Sequence, residues 1–363
     1  MQILPVRQLF YLLLKHLKFL LIKYIIKQVK AKYIKQSIIL LGLFVLLALS
    51  ILLALSVGEI NFSIKELIEI TRNKTGIEYT IINNIRFPRI LLGFAVGGSL
   101  SLSGVILQGV YRNPLVEPYT LGISGGAALG VAITIVFKLN LIFGIYMLPL
   151  SGFIGAVLTI FLVYILSVSK NHFDINKMLL IGVMISFISS SSMMFLMSTT
   201  TAENLHSIVF WIMGSLDEPN ILLVKTVFYA SISGLLIVYL FANPLNALRL
   251  GESKAKHLGV NTNFTIRVLF ISASILTGIS VSVAGVIGFV GLIIPHLLRM
   301  VMGTDYRVLL LASFLGGSIF VIISDVIART IIAPNELPIG VITGMIGGLV
   351  FISVISKSKF KTN

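Results

Sequence analysis

The chain has 363 residues, of which 57% are hydrophobic and only 11% charged, and its mean hydropathy is +1.03. Those values lie outside the soluble globular range and read as an integral membrane protein. The net charge of +15 would suggest nucleic acid in a soluble protein, but here the basic residues sit in loops between apolar runs, a mark of topology and not of a nucleic-acid partner.

A helical crossing needs roughly 20 apolar residues, and the chain supplies about ten such runs. The short alternating segments of a β-barrel are missing. The expected fold class is therefore all-α: a polytopic bundle of about ten transmembrane helices. Cys is absent, which excludes a disulfide framework and thiolate metal ligation.

Residues 1–36 read as a basic N-terminal extension without a small-residue cleavage site. Lys15, Lys18, Lys23, Lys27, Lys30 and Lys35 recur among Leu, Ile, Phe and Tyr, a pattern suited to the lipid of an anionic inner leaflet or simply to a cytoplasmic tail. Residues 37–356 read as one transmembrane domain and 357–363 as a cytoplasmic tail. Ser37 to Val57 is the first span, followed on the outer side by a surface helix from Ser63 to Thr71.

Pro88 to Gln108 returns inward with Gly93, Gly97, Gly98 and Gly104. Small residues four apart let backbones approach in lipid, and the device recurs at Gly122, Gly126 and Gly130 and at Gly340, Gly344 and Gly348. Between the second and third spans, Tyr111-Arg112-Asn113-Pro114-Leu115-Val116-Glu117-Pro118 makes an inner turn punctuated by two prolines. Tyr119 to Phe137 and Pro149 to Val168 are the third and fourth spans. Met178 to Ser198 is the fifth, and its serines at 189–192 should face other helices or a wet passage, because each hydroxyl wants a partner.

Glu203 to Met213 reads as an outer amphipathic helix carrying the sole Trp211. Ile221 to Ala242 then delivers the chain to a polar island, Asn243 to Asn261. Within it Glu252 to Gly259 fits either a short helix closed by glycine or a solvated loop.

From Arg267 to Arg299 no charged residue intervenes over 31 positions. One helix of that length would span roughly 46 Å, too long for a single crossing, so the run should cross and return. The turn is expected near Ser282 to Gly285, with two short legs, the second broken at Gly285, Gly288, Gly291 and Pro295. Val308 to Ile327 and Leu337 to Ser356 complete ten crossings with both termini in the cytoplasm. On this map only Lys65, Arg72, Lys74, Arg86, Arg89, Lys138, Lys225 and Arg329 of the 28 basic residues face outward.

No Gly-Lys dipeptide occurs, so the chain has no Walker-type phosphate loop and is not its own ATPase by that route. No pair of its five histidines has metal-ligand spacing, and no cofactor or metal site is read. Asp325 and Arg329 are four apart and can pair on one helix face. The acids otherwise fall in loops or at helix ends, and this scarcity of buried charge argues against a secondary transporter or channel acting alone.

Several segments carry a resemblance: Arg86-Phe87-Pro88-Arg89, the Asn113 to Pro118 turn, Leu121 to Ala127, Leu250-Gly251-Glu252 with Ala255 to Gly259, Gly288 to Arg299, Ser324 to Arg329 and Glu336 to Gly340. Together they resemble the FecCD-type permease subunits of type II ABC importers, a family that moves iron-siderophores, haem and vitamin B12. The resemblance covers about Ile60 to Ser356. It implies an inward transporter of a metal chelate in the cell membrane, an iron-siderophore first and haem or cobalamin next, itself not an enzyme, that pairs with a second permease copy or close relative.

By the same resemblance two cytoplasmic ATPase subunits would grip the polar island at Glu252, Ala255, Lys256, Leu258 and Gly259. An extracytoplasmic solute-binding protein would meet Arg86 and Arg329, whereas Arg89 reads as an ordinary snorkelling side chain. Ser189, Ser190, Met193, Met197 and Thr343 would line the passage, where small hydroxyls and thioethers let a large chelate slide.

Overall fold

A computed structural model describes residues 6–359 apart from 170, 171 and 174. Two units are distinguished along the chain, residues 1–45 and 46–363. The described part of the first is helical, the beginning of α1 (Val6–Ser56). No Gly or Pro interrupts residues 6–41, so the helix runs through the boundary drawn at residue 36.

After α1 come α2 (Ile64–Asn73) and the single turn α3 (Ile77–Thr80), then a π-turn at Ile81–Arg86 that feeds α4 (Phe87–Tyr111). In α2 the Ser63 hydroxyl accepts from Glu66 N and the Glu66 carboxylate accepts from Ser63 N, a reciprocal cap. The next elements are α5 (Ile123–Val136), α6 (Leu139–Phe143), α7 (Met147–Ser167), α8 (Ile175–Thr199) and α9 (Ala202–Met213). The second half holds α10 (Ile221–Tyr239), α11 (Ala242–Leu248), α12 (Glu252–His257), α13 (Thr262–Ala284), α14 (Val290–Met302), α15 (Tyr306–Thr330) and α16 (Ile339–Lys359). A two-residue antiparallel ribbon, Val168–Ser169 with His172–Phe173, is the only strand pairing among the described residues.

Among the described residues seven helices are long and apolar enough to cross a membrane, and α5, α14 and Ile339–Ser353 of α16 are shorter apolar helices. That gives the expected ten. The expectation of two short legs after Arg267 is corrected: α13 starts at Thr262, capped by the Asn261 carboxamide, and is a full span of 23 residues. Only α14, with 13 residues, is short.

The core lies along α4, whose small residues let it pack against α15, α13, α10 and α14 at once. A Cβ at Gly97 would lie 2.3 Å from the Gly317 carbonyl oxygen, and one at Gly104 1.9 Å from that of Gly291. Gly126 and Gly130 meet α7 in the same way, at Gly155 and Ser151. Gly344 and Gly348 differ, because nothing lies within 4 Å of their built Cβ positions. That edge of α16 is open in the subunit.

Candidate functional site: the polar elbow and its ties

The polar island folds as two short helices, α11 and α12, set between the long apolar helices α10 and α13. Gly251 (φ 105°) and Gly259 (φ 82°) sit at its corners in backbone regions that favour glycine. Ala255 is fully buried and fastens α12 to the core, while Leu258 is 64% exposed. Glu252 pairs with Lys256 at 3.0 Å and accepts from the Thr262 hydroxyl at 3.3 Å, bracing α12 against the start of α13. Of the five island residues singled out, four therefore offer surface, while Ala255 is an anchor.

The elbow is also bound sideways, through polar contacts that pattern reading missed. Asn246 Nδ2 donates to Asp305 Oδ1 at 2.9 Å, and Asn246 Oδ1 accepts from Tyr306 N at 3.1 Å. Arg307 Nε donates to Asn243 Oδ1 at 2.9 Å and Arg249 Nη1 to the Thr304 carbonyl at 2.8 Å. These groups tie α11 to the first turn of α15, some 60 residues away in the chain. Only the Asn-Pro-Leu-Asn polarity in an otherwise apolar run could have hinted at them.

The break before α14 leaves residues 286–288 outside the helical hydrogen-bond pattern in a bundle that has little water to offer. Tyr119, in the 3₁₀ turn Pro118–Leu121, answers for one of them: its hydroxyl donates to the Ile287 carbonyl at 2.9 Å and accepts from Ile287 N at 3.1 Å. Gln108 Nε2 donates to the Gly291 carbonyl at 3.1 Å, and its Oε1 accepts from Arg299 at 2.9 Å. Tyr119→Phe should therefore leave a buried N–H and C=O unpaired and cost about 1–3 kcal/mol. A lowered midpoint of thermal unfolding in detergent would register it, and an unchanged midpoint would refute the pinning role.

At the opposite end of the bundle the arginines are gathered inward. Arg86 is 4% and Arg329 8% exposed. Arg86 donates to the Leu55 and Ile60 carbonyls and stacks 4.7 Å over the Phe62 ring, while Arg329 donates to the Ala54 carbonyl at 2.6 Å. Both thus cap the C-terminal end of α1, where carbonyls lack helical partners.

Arg89 is corrected from a snorkelling residue to a buried one. It donates to Glu336 at 2.8 Å through both terminal nitrogens and to Asp325 at 3.1 Å. Arg329 stands 3.6 Å from the same Asp325. Buried charge is therefore present after all, and its scarcity cannot serve to exclude ion coupling. Spacing gives no hint of the Arg89 pairs, because Asp325 and Glu336 lie 236 and 247 positions from Arg89.

The passage candidates divide. Ser189 and Thr343 are buried inside the subunit, Ser189 against Gly125 and Thr343 on the Gly340 carbonyl. Ser190, Met193 and Met197 are partly exposed, and the two methionines pack against the cluster of Val131, Ala132, Ile135 and Ile208. The free faces are formed instead by Phe187, Met194 and Phe195 of α8 and by Met345, Leu349 and Ile352 of α16, each at least 63% exposed.

The model of the FecCD transport family matches residues 46–357. The chain belongs to that family. The hemin transport system permease protein HmuU of Yersinia pestis is 36% identical over 328 residues, 89% of this chain and 97% of its own. The cobalamin import system permease protein BtuC of Halobacterium salinarum is 37% identical over 275 residues, 76% and 73% of the two chains. A solved structure, described as an inward-facing conformation of a provisionally assigned metal-chelate type ABC transporter, superposes with a TM-score of 0.79 at 33% identity, covering 88% of this chain and 99% of the other. This FecCD chain is thus a multi-pass membrane permease with the type II ABC importer fold.

Proposed function

We propose that this FecCD permease carries a metal chelate inward, driven by two ATPase subunits that hold the elbow at Glu252 to Gly259. The observation that carries the proposal is the exposure of Leu258 at the end of the short polar helix α12, which follows directly on α11, the helix bonded to α15. An exposed leucine beside Glu252, Lys256 and His257 is what a protein partner's groove would take, with charge around an apolar anchor. The relatives named for hemin and cobalamin favour a bulky metal-centred ring compound as cargo over an iron-siderophore. On this reading both termini and the elbow are cytoplasmic, residues 1–36 are an extension before the permease domain of 37–356, and residues 357–363 are a tail.

The ties at Asn243, Asn246 and Arg249 give the drive a direction. A push on α12 moves α11, which is bonded to the first turn of α15. At its far end α15 holds Asp325 and Arg329, the groups that engage α4 and the end of α1. The passage would run between the open faces of α8 and α16 of two permease copies, with Ser190, Met193 and Met197 at its edge. Gly344 and Gly348 are free there to admit the partner helix. Ser189 and Thr343 would then support the wall from behind.

An extracytoplasmic binding protein would dock at the Arg86 and Arg329 end, where its acids would have to compete with the α1 carbonyls for both guanidiniums. Leu258→Asp should cut ATP-dependent uptake by roughly tenfold or more while leaving expression unchanged, since the side chain is solvent-exposed. Uptake by reconstituted vesicles checks it, and unimpaired uptake would refute the grip. Asn246→Ala should leave ATPase subunits bound but slow uptake, and loss of ATPase binding in that variant would refute the relay.

A further inference from the structure

Two cavities open side by side at the bundle end that carries α9 and the 214–220 loop. One, of about 200 Å³, is lined by Trp211, Ser215, Asp217 and Glu218. The other, of about 370 Å³, runs along α7, α10 and α13 past Leu150, Phe153, Val227, Ile279 and Val283 and is almost wholly apolar. They share Pro149, Leu223, Ser282 and Val283, so they form one groove with a polar mouth and an apolar floor. We propose that this groove is a binding site for a membrane phospholipid with an amine headgroup, its ammonium at Asp217 and Glu218 and one acyl chain lying on Leu150, Phe153 and Ile279.

The groove begins where a bilayer's polar boundary meets the bundle. Met147 and Ile221 start α7 and α10 there, and Ala284 ends α13. Trp211 and the half-exposed Tyr146 stand at the same level, as amphipathic rings do at a membrane surface. Below them the walls continue into lipid-accessible apolar surface, with Leu150 50% and Leu222 60% exposed. An acyl chain can therefore enter sideways from the bilayer.

Charge selects the headgroup. Neither Asp217 nor Glu218 forms an ion pair among the described residues. Arg89, which shares the neighbouring cavity with Asp217, is committed to Asp325 and Glu336, and Lys225 lines neither part of the groove. Partial burial and, to a lesser degree, the adjacent Asp217 push the Glu218 carboxyl up against the hydrogen bond that it accepts from Asn220 N, and Arg89 reaches Asp217 only through space, so the mouth has a place for a further positive charge. An ammonium would supply it, whereas a phosphoglycerol headgroup would add only negative charge.

Trp211, the sole tryptophan, lies in the mouth as a built-in reporter. The full-length permease would be reconstituted in bilayers of phosphatidylcholine mixed with brominated phosphatidylethanolamine or brominated phosphatidylglycerol, and its fluorescence quenching compared at equal mole fraction. The ethanolamine lipid should show about three- to fivefold higher relative affinity, the size of a surface ion pair. Asp217→Asn with Glu218→Gln should abolish that preference while leaving chain-dependent quenching. Val283→Phe, which fills the shared wall, should lower quenching by both lipids. Equal quenching by the two lipids, or a preference that survives the Asp217→Asn and Glu218→Gln changes, would overturn the headgroup assignment, and quenching unaffected by Val283→Phe would overturn the groove itself.

Discussion

Replacing Gly104 by valine should leave no folded permease to measure. A Cβ at that position would lie 1.9 Å from the Gly291 carbonyl oxygen and 2.6 Å from its carbon. Both are backbone atoms, which cannot rotate away as a side chain would. The contact is as close from the other side, since a Cβ built on Gly291 would meet Pro118 at 2.7 Å and the Leu100 carbonyl of α4 at 2.8 Å. Overpacking a core usually costs about 1–3 kcal/mol, and a clash confined to backbone lies at or beyond the upper end. The expected result is loss of the monodisperse peak on size-exclusion chromatography in mild detergent. Gly344→Val is the control: nothing lies within 4 Å of that position, so the variant should extract normally. If both variants behave alike, the close contact of α4 with α14 is not what holds the bundle.

Arg89→Met should be the most damaging change at the opposite end. The Arg89 and Asp325 side chains are only 8% and 5% exposed, and they are 3.1 Å apart. Removing the cation strands Asp325 with Arg329 alone, at 3.6 Å. Breaking one side of a buried pair costs about 3–5 kcal/mol, because the remaining charge stays desolvated. The Glu336 contact contributes less, since that carboxylate is 45% exposed and finds water once released. Asp325→Asn added to Arg89→Met restores the charge balance and should recover about half of the lost stability. A fall in unfolding midpoint that the second change does not relieve would show that the arginine acts by packing and not by charge.

Much of the architecture was legible in the residues. The apolar runs anticipated α7, α8, α10, α15 and α16 to within a few positions, and the surface helix expected from Ser63 to Thr71 is α2. Such features are local, depending on hydrophobic content and on groups three or four positions apart. Arg267 does not bound a span, because a helix can carry an arginine through its first turns when it starts at the wet edge, and α13 begins at Thr262. Three glycine stripes looked alike, yet two are packed and that of α16 is largely open, with only Gly340 close against Met213. Nothing in the spacing of small residues says which neighbour, if any, will fill the notch.

By itself the sequence determined that this chain crosses a membrane about ten times and carries a polar elbow between two apolar helices, because each depends on composition or on contiguous residues. The tertiary structure alone decided where the charges and hydroxyls are spent. It joined Asn246 to Asp305, Tyr119 to Ile287 and Arg89 to Glu336, and it turned Arg86 and Arg329 toward the end of α1. Inside lipid an unpaired polar group is costly wherever its partner lies in the chain, so those pairings answer to proximity in the folded bundle and leave no trace in spacing.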